Sequence, residues 1–142
     1  MISASEFQSR LLMLDLQAVD FETQVDGLLA QADLSDLNGL LNAVFRFFEN
    51  HPSEEAGVPG TLVHFAEHYY PAYKPTLLRS LSASPSASAV LMVNRILNSE
   101  LSPSERSEYL SALAEVKDSP KASSIVRARA EHFIAYQHGK RT

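Results

Sequence analysis

The sequence predicts an all-α fold: a single domain, residues 1–142, of seven or eight helices packed as antiparallel hairpins in the manner of a short solenoid. Three observations predict it. Apolar residues recur at steps of three and four along most of the chain, the spacing of one helix face. No segment sustains the alternation of a half-buried strand. Serine–proline pairs stand 18 and then 17 residues apart, at Ser84-Pro85, Ser102-Pro103 and Ser119-Pro120. Each puts a capping hydroxyl before a proline suited to the first helical position.

Residues 5–18 place Phe7, Leu11, Leu14 and Ala18 on one face, with Ser5 as N-cap. Residues 20–32 continue with Phe21, Val25, Leu28, Leu29 and Ala32. Spacing leaves open whether 5–32 is two helices or one bent helix. Residues 34–50 are the strongest amphipathic stretch, with Leu37, Leu40, Leu41, Val44, Phe45 and Phe48 on one face. Asp33 caps this helix, and Asp36 falls at its third position, where the helix dipole favours negative charge. Residues 51–60 hold two prolines and two glycines and read as a loop. Helical spacing returns with Leu62, Val63, Ala66, Tyr69 and Tyr70. It breaks at Pro71 and Pro75, because proline clashes with a preceding helical turn. A short helix follows with Leu77, Leu78 and Leu81. The serine–proline starts open helices near 85–98, 103–117 and 120–137. Their apolar sets are Val90, Leu91, Val93 and Leu97; Tyr109, Leu110, Leu113 and Val116; and Val126, Ala130, Phe133 and Ile134. Glu105 completes a capping box with Ser102. The segment 137–142 reads as a frayed tail.

Composition narrows the function classes. Hydrophobic residues make up 45% and charged residues 20%, which excludes a wholly disordered chain. No apolar run approaches the roughly 20 residues that span a bilayer. The N-terminus lacks the basic flank and apolar core of a secretory signal. Cysteine is absent, which removes disulfides, thiolate zinc sites and thiol nucleophiles, and fits a reducing cytoplasm. The net charge of −5 hides a split. Residues 1–67 carry eleven acids against two bases, Arg10 and Arg46, whereas residues 68–142 carry six acids against ten bases. An acidic half repels nucleic acid and anionic membrane and attracts a basic partner.

The search for reaction chemistry yields one match. His64-Phe65-Ala66-Glu67-His68 fits H-x-x-E-H, which in a helix puts two histidines on one face for a zinc ion, with Glu67 as base. No third ligand is marked out among Glu100, Glu105, Glu108, Glu115 and Glu131. The plainer reading has His64 packing or capping near the Pro59-Gly60 turn and His68 solvated. There is no G-x-S-x-G and no phosphate-cradling glycine loop. Glu54 and Glu55 are adjacent in a loop, where two carboxylates face water more readily than they share a proton. Arg127, Arg129, Lys140 and Arg141 lack the interleaved aromatics of a nucleic-acid surface. The expectation is no catalytic residue, no metal and no cofactor. Tyr69, Tyr70 and Tyr73 cluster beside the prolines, either as interface anchors or as cover for the core edge. Asn94-Arg95 interrupts an apolar run and is read chiefly as a bridge to neighbouring helices.

A resemblance enters at three segments: Phe47-Phe48-Glu49-Asn50-His51-Pro52, Gly57-Val58-Pro59-Gly60-Thr61-Leu62-Val63-His64, and Val90-Leu91-Met92-Val93-Asn94-Arg95-Ile96-Leu97-Asn98. Over roughly residues 37–137 the chain resembles small helical immunity proteins of bacterial contact-dependent growth inhibition and related polymorphic toxin systems. Thr61 stands where that pattern has a second proline. The resemblance implies a cytoplasmic antitoxin that binds the C-terminal toxin domain of a secreted effector, most often a nuclease of RNase type, and blocks its active site. The motif residues look like fold determinants and carry no toxin contact with them. Charge and aromatic placement nominate the contacts instead: Asp20, Glu22, Asp26, Asp33, Asp36, Glu54 and Glu55, with Tyr69, Tyr70 and Tyr73 as anchors. Reversing Asp33 and Asp36 to lysine is expected to slow association and leave the fold intact. A helical adaptor is the alternative reading, and a zinc hydrolase a remote one.

Overall fold

The computed structural model describes residues 1–54 and 60–139. They form one all-α domain of eight helices whose packing contacts are antiparallel. No strand occurs among the described residues, and a single bridge joins Ile2 to Ala32.

The first two helices are separate. Helix α1 (Ala4–Leu12) is capped by Ser3, whose hydroxyl accepts from the Glu6 amide, so the cap falls two residues before the expected Ser5. It stops at Leu12 because Asp15 turns its carboxylate onto the Gln17 amide at 2.9 Å. Such local bonds compete with the helix ladder. Helix α2 (Phe21–Gln31) follows, and a 3-10 turn over Leu34–Asp36 leads into α3 (Leu37–Asn50). Asp33 caps the 3-10 turn, while Asp36 is the N-cap of α3 and accepts from the Gly39 amide at 3.1 Å. Both acids therefore cap, one turn apart, in place of the single cap and third-position charge expected. Gly39 lets α1 lie close on α3: a Cβ there would sit 2.7 Å from the Ala4 Cβ. The buried face of α3 includes Phe47 beside the expected set, and Leu37 is only partly buried.

Helix α4 (Gly60–Glu67) begins at a glycine with φ +85°, a left-handed conformation that favours glycine. A series of turns, with a cis Tyr70–Pro71 bond, leads to α5 (Lys74–Ala83). Pro75 opens α5 where a break was expected, since proline lacks only an amide that the first turn leaves unpaired. Helix α6 (Ala87–Leu97) is the centre of the fold, with nine of its eleven residues buried. It touches α3, α4 and α5 as well as α7 (Pro103–Lys117) and α8 (Ser124–Gly139). The small Ala87, Ser88 and Ala89 let neighbours approach on all sides, and Leu91, expected in the core, is only half covered.

The serine–proline starts divide. Ser102 caps α7 with Pro103 in the first turn, as the spacing predicts, and its Oγ accepts from the Glu105 amide at 3.1 Å. Ser84 does not cap α6; it is the C-cap of α5, its amide donating to the Ser80 carbonyl at 2.8 Å. The N-cap is Ser86, accepting from Ala89. Ser119 likewise spends its hydroxyl on the Lys121 amide in a turn, so α8 starts four residues later than expected. The 17–18 residue spacing is thus not the spacing of the helix starts. Ser123 caps α8 through the Val126 amide at 3.3 Å and meets Ser53 at 2.8 Å.

The frayed tail is corrected for its described part. Helix α8 continues through Gly139, and Gln137 is fully buried. Its side-chain nitrogen donates to Asn94 Oδ1 at 2.7 Å and Asn98 Oδ1 at 2.9 Å, while Arg106 Nη2 donates to its Oε1 at 3.3 Å. Apolar periodicity does not register a buried glutamine. Residues 140–142 lie outside the described residues.

Candidate protein-binding interface

The site builds from the turn between α1 and α2. Helix α1 exhausts its core contacts at Leu11, and α2 regains the core at Phe21. The linking turn exposes apolar side chains: Met13 is 85% and Val19 fully accessible, with Leu12 beside them at 38%. Asp15 and Asp20 flank these residues in the chain. From 37 residues away the Glu54 carboxylate joins them, accepting a hydrogen bond from the Gln17 side-chain amide. Arg10, the nearest base in sequence, is paired with Glu6 at 3.4 Å. Exposed apolar side chains with carboxylates beside them in the chain mark a candidate contact patch, in which Glu54 also lies 3.8 Å from His51 Nδ1.

The nominated acids separate by role. Asp20 and Glu54 belong to the turn. Asp26 is exposed on α2 and makes no hydrogen bond or ion pair among the described residues. Glu22 is structural: its Oε2 accepts from the Thr61 amide at 2.7 Å and so holds the start of α4. A proline at 61 would have no N–H to give. Asp33 and Asp36 lie at the far end of α2, about 16 Å of helix from Asp20. Hydrogen bonds from the Ser35 hydroxyl and then the Ser35 amide hold the Asp33 carboxyl below the usual range. Glu55 lies outside the described residues, as do Gly57, Val58 and Pro59.

The expectation for Asp33 and Asp36 is corrected accordingly. Converting both to lysine removes two caps, and the Asp36→Lys change alone is expected to lower stability by about 1 kcal/mol. Urea denaturation of the Asp36→Lys variant measures this; an unchanged midpoint would mean that the Asp36 cap does not matter.

The three tyrosines also separate. Tyr73 is 1% exposed and packs on Phe45, so it is core and no anchor. Tyr70 is half-buried, and its hydroxyl meets that of Tyr109 at 3.1 Å. Tyr69, partly buried like Tyr70, packs against Phe65 and His68.

At H-x-x-E-H the Glu67 carboxylate is held by Arg95 through two nitrogens, and His64 reaches it at 3.4 Å from an exposed position. His68 is exposed. No group of three metal-ligating side chains occurs among the described residues. Asn94 and Arg95 are the helix bridge expected of them: Asn94 ties α6 to α8, and Arg95 ties α6 to α4. Asn94 is buried, and Arg95 only partly so.

The residues missed in sequence are Leu12, Met13, Asp15, Gln17 and Val19. A continuous helix over 5–18 absorbed all but Val19, which falls between it and the stretch 20–32. The readable signal was Met13, an apolar residue off the Phe7–Leu11–Leu14–Ala18 face. No described helix is long and apolar enough to cross a membrane. No family model, no curated protein and no solved structure matches the chain.

Proposed function

We propose that this protein is a cytoplasmic immunity protein, which binds the C-terminal toxin domain of a contact-dependent growth inhibition effector and neutralises it. The toxin is a basic nuclease of RNase type. The immunity protein acts by covering the toxin's active site, performs no reaction itself, and needs no cofactor, nucleic acid or membrane. The observation that carries the reading is the exposure of Met13 and Val19, at the two ends of a turn whose Leu14 and Leu16 pack on the core, with Asp15 and Asp20 beside them in the chain and Glu54 bonded to Gln17. The resemblance at the Pro-Gly turn and the Asn-Arg-Ile-Leu-Asn segment supports it independently. A nuclease that grips RNA presents a basic cleft, and carboxylates can stand in for phosphates there. Complementary charge speeds encounter and selects the partner, while apolar contacts at the centre set residence time. A standard interface of about 1,600 Å² would extend from the turn along α2 past Asp26.

The test is calorimetric titration against the toxin domain encoded immediately upstream, at two salt concentrations. Nanomolar, one-to-one, salt-weakened binding is expected. Met13→Asp with Val19→Asp should weaken it about 100-fold or more, with helicity unchanged because both side chains are exposed. Asp20→Lys with Asp26→Lys should slow association about tenfold at low salt. Absence of binding at micromolar concentration would overturn the reading in favour of a helical adaptor with another partner.

A further inference from the structure

We infer that the cleft between α3 and α5 is a binding site for a phosphate-bearing small molecule. The cleft measures about 390 Å³, and its polar lining comprises Gln8, Asn42, Arg46, Glu49, Thr76 and Arg79, with the buried Ser80 at its floor. A second concavity of about 400 Å³ shares Asn42, Thr76 and Arg79 and extends the groove. The size is that of a small-ligand site, and its polar and charged side chains share the lining with Phe45 and Ala83.

Its charges are unusual for this chain. Acids outnumber bases 17 to 12, yet neither Arg46 nor Arg79 has a carboxylate partner among the described residues. Arg46 is one of only two bases in the acidic half. Glu49, three residues on along the same helix and lining the same cleft, is in place to pair with it. Instead Glu49 Oε2 accepts the hydroxyl of Ser80 at 2.7 Å, so the obvious counter-ion is turned to a buried donor. Arg79 reaches only Asn42 Oδ1, at 3.5 Å, where the Thr76 hydroxyl also arrives at 3.5 Å. With its oxygen taken, Asn42 has its amide nitrogen left to donate, and the Gln8 side chain makes no hydrogen bond among the described residues. Two guanidinium forks and two side-chain amides on one cleft are a donor array. An oxyanion with several acceptor oxygens satisfies such an array, and guanidinium forks match phosphate bidentately. This site is separate from the α1–α2 turn and does not depend on the proposed partner.

The experiment is an NMR titration of the full chain with inorganic pyrophosphate, following the Arg46 and Arg79 Nε–H and the Asn42 and Gln8 amide signals. Sulfate at matched concentration is the control, and a nucleoside diphosphate is the second arm. Saturable shifts of those four side chains are expected with pyrophosphate. Arg46→Gln and Arg79→Gln should each weaken binding about tenfold, the loss of one charge-assisted contact. Both side chains are exposed, so thermal melting should stay unchanged. Tighter binding of the nucleotide would identify the ligand as a nucleotide, and equal binding a free phosphoryl group; either supports the site. Identical shifts with sulfate, no saturation, or unchanged affinity in the double variant would overturn it.

Discussion

Gln137→Leu is expected to destabilise the protein by about 3 kcal/mol, a large part of the roughly 5–15 kcal/mol that holds a domain folded. The change is close to isosteric, so the loss is one of polar partners. Gln137 Nε2 satisfies the Asn94 and Asn98 side-chain oxygens, and Gln137 Oε1 accepts from Arg106. Asn94 is 8% exposed, and the oxygen stranded there has little water to turn to. Arg106 also donates to the Leu97 and Gln137 carbonyls, and its Nε already lacks a partner. Removing one more acceptor leaves a poorly satisfied guanidinium wedged between α6, α7 and α8. A buried group stripped of its partner costs about 1–3 kcal/mol, more if charged. His138→Ala, at the next and exposed position, should stay within about 0.5 kcal/mol. Urea denaturation of both variants is the measurement. Equal midpoints for the two would show that water replaces the network without loss.

Stability should also fall steeply above pH 10. Burial raises the phenol pKa values of Tyr73 and Tyr109, for Tyr73 with help from the Glu67 charge and for Tyr109 from its hydrogen bond to Tyr70. In the unfolded chain both ionise near 10. A pKa raised on folding stabilises fully below the unfolded value and loses that contribution as pH climbs past it. Each tyrosine then removes about 1.4 kcal/mol per pH unit, so the pair removes close to 3 kcal/mol by pH 11. Lys74 acts with the same sign, because its bond to Glu108 at 2.7 Å raises its pKa, so its contribution is lost above about 10.5. Urea midpoints at pH 9, 10 and 11 test this, with Tyr109→Phe expected to halve the tyrosine part of the slope. A flat profile would mean that tyrosinate is accommodated at the α5–α7 contact.

Wherever local chemistry is enough, the sequence by itself determined the outcome. The apolar face of Leu40, Leu41, Val44, Phe45 and Phe48 makes α3 amphipathic in any context, and Ser102-Pro103 starts a helix with groups that lie within one turn. The all-α class follows from that periodicity. Asn94 and Arg95 were legible as bridges because a polar pair inside an apolar run must find partners. The tertiary structure alone decided which partners those were. It also decided that Ser86 caps α6 while Ser84 closes the previous helix. The same holds for the candidate site. The Asp33 and Asp36 caps are local bonds, to Ser35 and Gly39, but only the packing brings Glu22 to the Thr61 amide and leaves Asp20, Asp26 and Glu54 facing outward. Met13 lies off the apolar face of the first helical stretch, and Val19 falls between the two stretches read from spacing. Helix α1 ends six residues before that first stretch does, where the Asp15 carboxylate accepts the Gln17 amide. Hydrogen bonds between residues distant in sequence have no period, so they become readable only when the chain has brought their ends together.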